Sequence, residues 1–109
     1  MSLKDRILNL LGLAMRARKL VTGEELVINE VRRGKVRLVI LSEDASANTQ
    51  KNIMNKCQSY HVKCLQFGSR HELGWAIGKD ERVIIGVLDS GFAKKLKDMI
   101  HESDEGENL

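Results

Sequence analysis

Three kinds of side chain in this sequence could do chemistry: histidines, adjacent carboxylates and clustered cations. The three histidines, His61, His71 and His101, are far apart, and none has a serine or cysteine at a recognisable nucleophile spacing. The sequence contains no G-x-S-x-G, P-loop, G-x-G-x-x-G or H-E-x-x-H motif. We therefore expect no catalytic residue, no cofactor and no small-molecule substrate.

The carboxylates Glu43 and Asp44 follow an apolar predicted strand, and Asp89 ends another. Convergent carboxylates bind Mg²⁺, so a phosphoacceptor or metal-dependent domain is one alternative. Such a domain also needs a lysine just after a late strand, and residues 87–91 contain none. The simpler interpretation is that Asp44 and Ser46 cap the helix that follows.

The two cysteines complete the search for a metal site. Cys57 and Cys64 have no C-x-x-C spacing and no histidine pair nearby. Two cysteines are also too few for a disulfide scaffold in a chain of 109 residues. We expect free thiols and no metal.

Cationic side chains form the densest groups in the sequence. They are Arg16, Arg18 and Lys19; Arg32, Arg33, Lys35 and Arg37; and, further on, Arg70, Lys79 and Arg82. The formal net charge is +3, but residues 102–109 hold four carboxylates, so residues 1–101 carry +7. Lysine and arginine neutralise phosphates and release counterions, which makes a polyanion a plausible partner. The alternative is a solvated face, since cations are also favourable at helix carboxyl ends.

The elements that must position these groups follow from hydrophobic periodicity. Helices are predicted after Ser2 and over 23–33, 47–60, 70–77 and 91–101; strands are predicted near 19–22 and over 36–41, 62–67 and 82–88. Thr22, with Glu25 three residues later, predicts a capping box for the second helix. This alternation predicts a three-layer α/β/α sandwich, with one domain over 1–101 and a disordered acidic tail over 102–109.

Two further expectations concern the surface. The first helix is apolar around most of its circumference, with Leu8, Leu13 and Met15 outside its core stripe, which predicts either heavy packing or a protein partner. The four aromatic residues, Tyr60, Phe67, Trp75 and Phe92, fall on apolar faces, so no exposed ring for stacking bases is expected. No apolar run is long enough for a membrane span, and we expect a cytoplasmic protein.

Five local features together resemble the ribosomal L7Ae superfamily. They are Gly23; Arg33-Gly34, with Gly34 eleven residues after Gly23; LVILSEDA at 38–45; FGSR at 67–70; and ELGWAIG at 72–78. The resemblance covers nearly everything but the acidic tail and is greatest to the short bacterial YlxQ-like branch. It implies an α/β/α sandwich around a mixed four-stranded sheet, and binding of kink-turn RNA.

The resemblance also implies where RNA would dock: at the amino end of the second helix, the loop after strand 36–41 and the loop before the last strand. Gly23 matches the glycine that lets a backbone approach RNA closely, and Arg70 matches a basic position. Kink-turn binders carry an Asn-Glu pair where this sequence has Glu25 and Leu26, and a lysine where it has Asn29. The kink-turn recognition residues are therefore degenerate here.

From the resemblance and the body charge we expect non-catalytic binding of structured RNA, in association with ribosomes or another ribonucleoprotein. Glu25 and Asn29 would contact base edges near Gly23. The phosphate contacts would come from Arg33, Lys35, Arg70 and Lys79. We expect these four cations to converge on one face. The alternative is a protein-interaction module that kept the fold, lost the RNA site and uses the first helix.

Overall fold

The computed structural model describes residues 1–107, which form five helices and four strands. In chain order these are α1 Leu3–Arg16, β1 Leu20–Thr22, α2 Glu24–Arg32, β2 Leu38–Leu41, α3 Ala47–Ser59, β3 Cys64–Gln66, α4 Arg70–Ala76, β4 Ile84–Val87 and α5 Ser90–Glu107. The predicted alternation of elements is confirmed. No helix within these residues is long and apolar enough to cross a membrane.

The four strands form one mixed sheet in the order β1-β4-β2-β3. Strand β4 is antiparallel to both β1 and β2, whereas β3 is parallel to β2. Strands β1, β2 and β3 therefore all run in one direction, and β4 runs against them. All strand ends consequently fall on two opposite ends of the sheet, which is what positions the site.

Two hydrophobic cores cover the two faces of the sheet, which confirms the three-layer architecture. Leu38 and Ile40 point into the core with α1, α4 and α5, while Val39 and Leu41 point into the core with α2 and α3. This alternation follows from the period of two along a strand. All four residues of β2 are buried, as expected for an inner strand covered on both faces.

The amino end of α2 differs from the prediction. Gly23, not Thr22, is the N-cap; its φ is 92°, and no side chain caps the helix. Thr22 belongs to β1 instead, so the predicted capping box with Glu25 is wrong. A glycine is needed here because the chain turns from strand to helix through a positive φ that other residues adopt only with strain.

The last helix also extends further than predicted. Helix α5 continues past His101 to Glu107, so disorder is the wrong prediction for residues 102–107. The helix has no glycine or proline stop signal at His101, and one buried side of it, with Leu96 and Ile100, packs on the core. Residues 108 and 109, also assigned to the tail, lie outside the described residues.

Candidate nucleic-acid interface

One end of the sheet brings together the three segments that the resemblance assigned to RNA. Here β1, β2 and β3 finish and β4 begins, so the segments 22–26, 41–47, 66–72 and 79–84 meet; we call this the Gly23 end. The Gly23 N–H donates to the carbonyl of Ile84 (3.3 Å), and the Ser42 N–H donates to that of Val83 (2.8 Å). The amino end of α2, the loop after β2 and the loop before β4 are therefore in direct contact.

The adjacent carboxylates Glu43 and Asp44 hold the β3–α4 loop in place. Glu43 Oε1 accepts from the Gly68 N–H (2.9 Å), and Asp44 Oδ1 accepts from the Arg70 N–H (3.1 Å). The Arg70 guanidinium donates from Nη2 to the Asp44 carbonyl (2.7 Å), and its Nε lies 3.5 Å from Asp44 Oδ2. Ser46 caps α3 as predicted by accepting from the Thr49 N–H (3.2 Å), but Asp44 does not.

These contacts set the charge state of Asp44. Loss of hydration raises its pKa, but hydrogen bonds from its neighbours, among them the Arg70 N–H, and the Arg70 charge outweigh that effect. The pKa of Asp44 is therefore lowered from its ordinary value, and the carboxylate stays ionised at neutral pH. Asp89, the third carboxylate of the metal-binding alternative, accepts from the Phe92 N–H (2.8 Å) at the start of α5. Within residues 1–107, no three His, Cys, Asp or Glu side chains are grouped to hold a metal ion.

Arg82 connects the loop before β4 to β1, and the predicted site did not include it. Its Nε donates to Thr22 Oγ1 (3.3 Å), its Nη1 donates to the Glu81 carbonyl (2.8 Å), and its N–H donates to the Arg70 carbonyl (3.0 Å). Thr22 and Arg82 are 60 residues apart in the sequence, so no local pattern could have identified this contact. The sequence signal was only that Arg82 belongs to a group of cations.

An open cleft lies at the Gly23 end. It has a volume of about 490 Å³ and is lined by Thr22, Gly23, Glu24, Thr49 and residues 81–84. A polar groove of about 500 Å³ adjoins it, lined by Glu24 and by Asn48, Thr49, Lys51, Asn52 and Asn55 of α3. Asn52 Nδ2 donates to Glu24 Oε1 (3.3 Å) between them. The asparagines of α3 are hydrogen-bonding groups that could contact bases, and the prediction missed them.

The formal charge of the Gly23 end is negative. Its four segments contain the cations Arg70, Lys79 and Arg82, and the carboxylates Glu24, Glu25, Glu43, Asp44, Glu72, Asp80 and Glu81. Counting these segments alone gives three positive and seven negative charges, a net charge of −4. This end therefore cannot attract phosphate by net charge.

Positive charge is concentrated at the opposite end of the sheet. Here β1, β2 and β3 begin and β4 finishes; the segments 16–20, 30–38, 60–64 and 88–90 form what we call the Arg37 end. They contain the cations Arg16, Arg18, Lys19, Arg32, Arg33, Lys35, Arg37 and Lys63, and the carboxylates Glu30 and Asp89. Eight positive and two negative charges give a net charge of +6.

The predicted phosphate-binding cations do not converge. Arg70 and Lys79 belong to the Gly23 end, whereas Arg33 and Lys35 belong to the Arg37 end, beyond the far end of α2. Helix α2 has 9 residues, so its ends are about 13 Å apart. The expectation that all four share one face is wrong, because β1, α2 and β2 reverse the chain between them.

Helix α2 nevertheless connects the two ends. Glu25, Asn29 and Arg33 are spaced by four residues, which places them on one side of the helix, and all three are exposed. Leu26, beside Glu25, is also 50% exposed. Of the seven predicted site residues, Gly23, Glu25, Arg70 and Lys79 thus belong to the Gly23 end, Asn29 to the middle of α2, and Arg33 and Lys35 to the Arg37 end.

Two surface expectations have different outcomes. In α1, Leu8 is buried and Met15 packs against the core, which leaves Leu13 as the exposed member of the predicted apolar set. The apolar circumference of α1 is largely used in packing on α4 and α5. Trp75 is 73% exposed and Tyr60 is 45% exposed, so the expectation that the aromatic rings are covered is wrong for these two. Trp75 also lines a groove of about 350 Å³ with Leu13.

Residues 5–97 match the ribosomal protein L7Ae/L30e/S12e/Gadd45 family. The chain therefore belongs to that family, which confirms the resemblance found in the sequence.

Individual relatives cover most of the chain. RNA-binding protein YlxQ of Bacillus subtilis (strain 168) is 54% identical over 87 residues, which are 80% of this chain and 87% of the relative. RNA-binding protein YlxQ of Enterococcus faecium is 45% identical over 97 residues, 89% of this chain and 93% of the relative. The solved structure of a Bacillus halodurans protein of unknown function is 54% identical, has a TM-score of 0.85, and matches over 87% of this chain and 96% of that one.

Proposed function

We propose that this protein binds structured RNA without catalysis, in association with ribosomes or another ribonucleoprotein, in the cytoplasm. The observation that carries the proposal is that Gly23 and the loop after β2 both bond to the start of β4, with Gly23 and the loop before β4 lining an open cleft. These are the three segments that the family resemblance associates with RNA. Two relatives that match most of this chain are RNA-binding proteins by name, which also supports the proposal.

In this proposal the RNA lies along the exposed side of α2. Glu25 and Asn29 contact base edges near the Gly23 end, where a carboxylate can accept hydrogen bonds and an amide can both donate and accept them. Arg33 and Lys35 hold backbone phosphates at the other end of the helix. Arg70 and Lys79 contact the RNA at the Gly23 end, and the bonds of Arg70 to Asp44 also position the loop.

We do not expect this protein to prefer a kink-turn over other structured RNA. Leu26 stands where the family's kink-turn binders have glutamate, and an exposed leucine cannot accept a hydrogen bond from a base. The measurement is fluorescence anisotropy with a labelled kink-turn RNA and a plain RNA hairpin, each at two salt concentrations. We expect binding to both with similar dissociation constants, weakening as salt rises.

A restoring variant makes this test sharper. Glu25→Asn, Leu26→Glu and Asn29→Lys together return the family's residues to α2, and we expect the combined variant to prefer the kink-turn by about tenfold. Leu26→Gln, which adds polarity without a charge, is the matched control and should show no preference. Failure of the wild-type protein to bind either RNA, or ribosomal RNA, at low salt would overturn the proposed function. A strong wild-type preference for the kink-turn would overturn only the claim about selectivity.

A second candidate function is protein interaction, favoured by the exposed pair Trp75 and Leu13. The pair lines a groove between α1 and α4, where large exposed apolar side chains favour a partner. A complex that survives nuclease treatment, is lost in Trp75→Ser and is retained in Arg33→Ala/Lys35→Ala would favour this function over RNA binding. Loss of the complex on nuclease treatment would count against it.

A further inference from the structure

The Arg37 end is a cationic surface at the opposite end of the sheet from the Gly23 cleft. Its exposed cations follow one another along the strand ends: Lys19 precedes β1, Arg37 precedes β2 and Lys63 precedes β3. The order β1-β4-β2-β3 puts three strand spacings between the first and the last, or about 14 Å. The backbones of these three residues therefore form a row across this end of the sheet.

Backbone hydrogen bonds fix the positions of these cations. The Lys19 carbonyl accepts from the Leu88 N–H (2.8 Å), the Arg37 N–H donates to the Val87 carbonyl (2.7 Å), and the Lys63 carbonyl accepts from the Val39 N–H (2.9 Å). Each of the three residues is thus tied to a neighbouring strand. A row held by main-chain bonds loses little entropy when it meets a partner, because only its side chains must be ordered.

The side chains of this row are not used within the fold. Across the residues that the structure describes, the one ion pair at the Arg37 end joins Arg33 to Glu30 (3.3 Å). Arg18, Lys19, Lys35, Arg37 and Lys63 are all exposed and make no ion pair with another residue of the described part of the chain. Unpaired positive charges that lie close together repel one another and lower the stability of the fold. A negatively charged partner would offset this repulsion.

The turn before β1 adds an independent observation. Helices α1, α2 and α3 all end in the same motif, in which a residue with left-handed φ is followed by an N–H that donates back five residues. In α2 that residue is Gly34 (φ 72°), but in α1 it is Arg18 (φ 61°). An arginine there costs about 1 kcal/mol that glycine does not. This end therefore carries a cation where backbone conformation favours glycine.

We infer that the Arg37 end binds the sugar-phosphate backbone of the same RNA, through Arg18, Lys19, Arg37 and Lys63, while the acidic Gly23 end contacts bases. The inference rests on the proposed function and deepens it. Phosphates are the negative groups that RNA presents continuously, and this surface, with a formal charge of +6, complements them. The Gly23 end, at −4, cannot serve that purpose.

The test compares two double variants that remove equal charge. Lys19→Gln/Arg37→Gln removes one lysine and one arginine from the Arg37 end; Arg6→Gln/Lys95→Gln removes one of each from α1 and α5, outside that end and outside the grooves of the Gly23 end. All four residues are exposed. The measurement is the dissociation constant for a plain RNA hairpin over a range of salt concentrations, with circular dichroism melting to confirm that both variants are folded.

We expect the Arg37-end variant to bind about tenfold more weakly at low salt. The slope of the logarithm of its association constant against log salt should become shallower by about 1.5, as for two lost phosphate contacts. The control variant should change the slope far less. If the wild-type protein binds the hairpin and the two double variants bind it equally weakly, the inference is wrong and the proposed function stands. If the wild-type protein binds no RNA, the proposed function fails. Binding of the wild-type protein to anionic lipid vesicles in place of RNA would likewise overturn the inference, since the surface would then serve another polyanion.

Discussion

Each end of the sheet carries four connections between strands and helices, yet different hydrogen bonds hold the connections at the two ends. At the Gly23 end, side chains hold the loops in addition to main-chain bonds: Glu43 and Asp44 bind the β3–α4 loop, and Arg82 binds Thr22. At the Arg37 end, main-chain bonds close the turns, as when the Lys19 and Lys35 N–H groups donate to α1 and α2. A turn closed by its backbone leaves its side chains available for a partner. This difference explains why one end is a shaped cleft and the other an open cationic surface.

The largest expected effect comes from a glycine that supports the Gly23 end. A Cβ at Gly74 would lie 1.9 Å from the Asp80 carbonyl oxygen, so Gly74→Ala must displace the loop before β4. We expect a loss of about 3 kcal/mol in unfolding free energy, measured by thermal or urea denaturation.

Two further alanine substitutions serve as controls for that steric argument. At Gly34 a Cβ meets nothing within 4 Å, and only the φ of 72° is unfavourable; we expect a cost of about 1 kcal/mol. A Cβ at Gly106 also meets nothing within 4 Å, so Gly106→Ala should be neutral or slightly stabilising in a helix. Equal losses in Gly74→Ala and Gly34→Ala would contradict the distinction between a packed end and an open one.

A smaller effect is expected at Arg82, which ties the loop before β4 to β1. Arg82→Ala removes its bonds to Thr22 Oγ1 and to the Glu81 carbonyl. We expect a loss of about 1 kcal/mol in unfolding free energy, together with weaker RNA binding, because the cleft loses its shape. Lys79→Ala, which removes an exposed cation from the same loop, is the control for charge and should leave the melting temperature unchanged. A melting temperature of Arg82→Ala equal to that of wild type would show that the bridge contributes nothing.

At the Arg37 end, stability and binding should change in opposite directions. Arg18→Gly replaces an arginine in left-handed conformation (φ 61°) by the residue that tolerates it best. We expect a gain of about 0.5 kcal/mol in unfolding free energy, since the relief of strain exceeds the added entropy of the unfolded chain. RNA affinity should fall because a cation is lost. A variant that is more stable and binds RNA as well as wild type would separate Arg18 from the proposed surface.

The smallest expected effect is a loss of stability at acid pH. The folded pKa of Asp44 is below its ordinary value of 3.8, so its contribution to stability is present above that value and is lost as pH falls through the folded pKa. Stability should therefore decline below about pH 4, and Asp44→Asn should flatten part of that decline. Urea denaturation at several pH values measures it. Asp5→Asn at an exposed position in α1 is the control; a decline unchanged in Asp44→Asn would place the acid-sensitive groups elsewhere.

Local patterns in the sequence were sufficient for the elements of the fold. The period of Ile7, Leu11 and Ala14 predicts a helix, and the short apolar runs around Val39 and Ile85 predict inner strands, because both signals lie within a few residues of chain. The exception at the start of α2 is not local in origin. Thr22 is a good N-cap by type, yet its hydroxyl accepts a hydrogen bond from Arg82, a partner that no local window contains.

The candidate site depended on contacts that local patterns do not report. The sequence identified the cations and, through the family resemblance, the segments around Gly23. It could not predict that Arg82 contacts Thr22, or that the asparagines of α3 border Glu24. The exposure of Trp75 was equally out of reach, since an aromatic residue on an apolar helix face is usually buried.

The sequence by itself determined the number and order of the elements, the body charge of +7 and the membership of the family. Only the tertiary structure divided that charge into an acidic end and a basic end. The physical reason is the direction of the strands: with β1, β2 and β3 running the same way, every intervening helix carries the chain back across the sheet. Residues eleven apart, such as Gly23 and Gly34, are thereby placed at opposite ends of the molecule, although they are near neighbours in sequence.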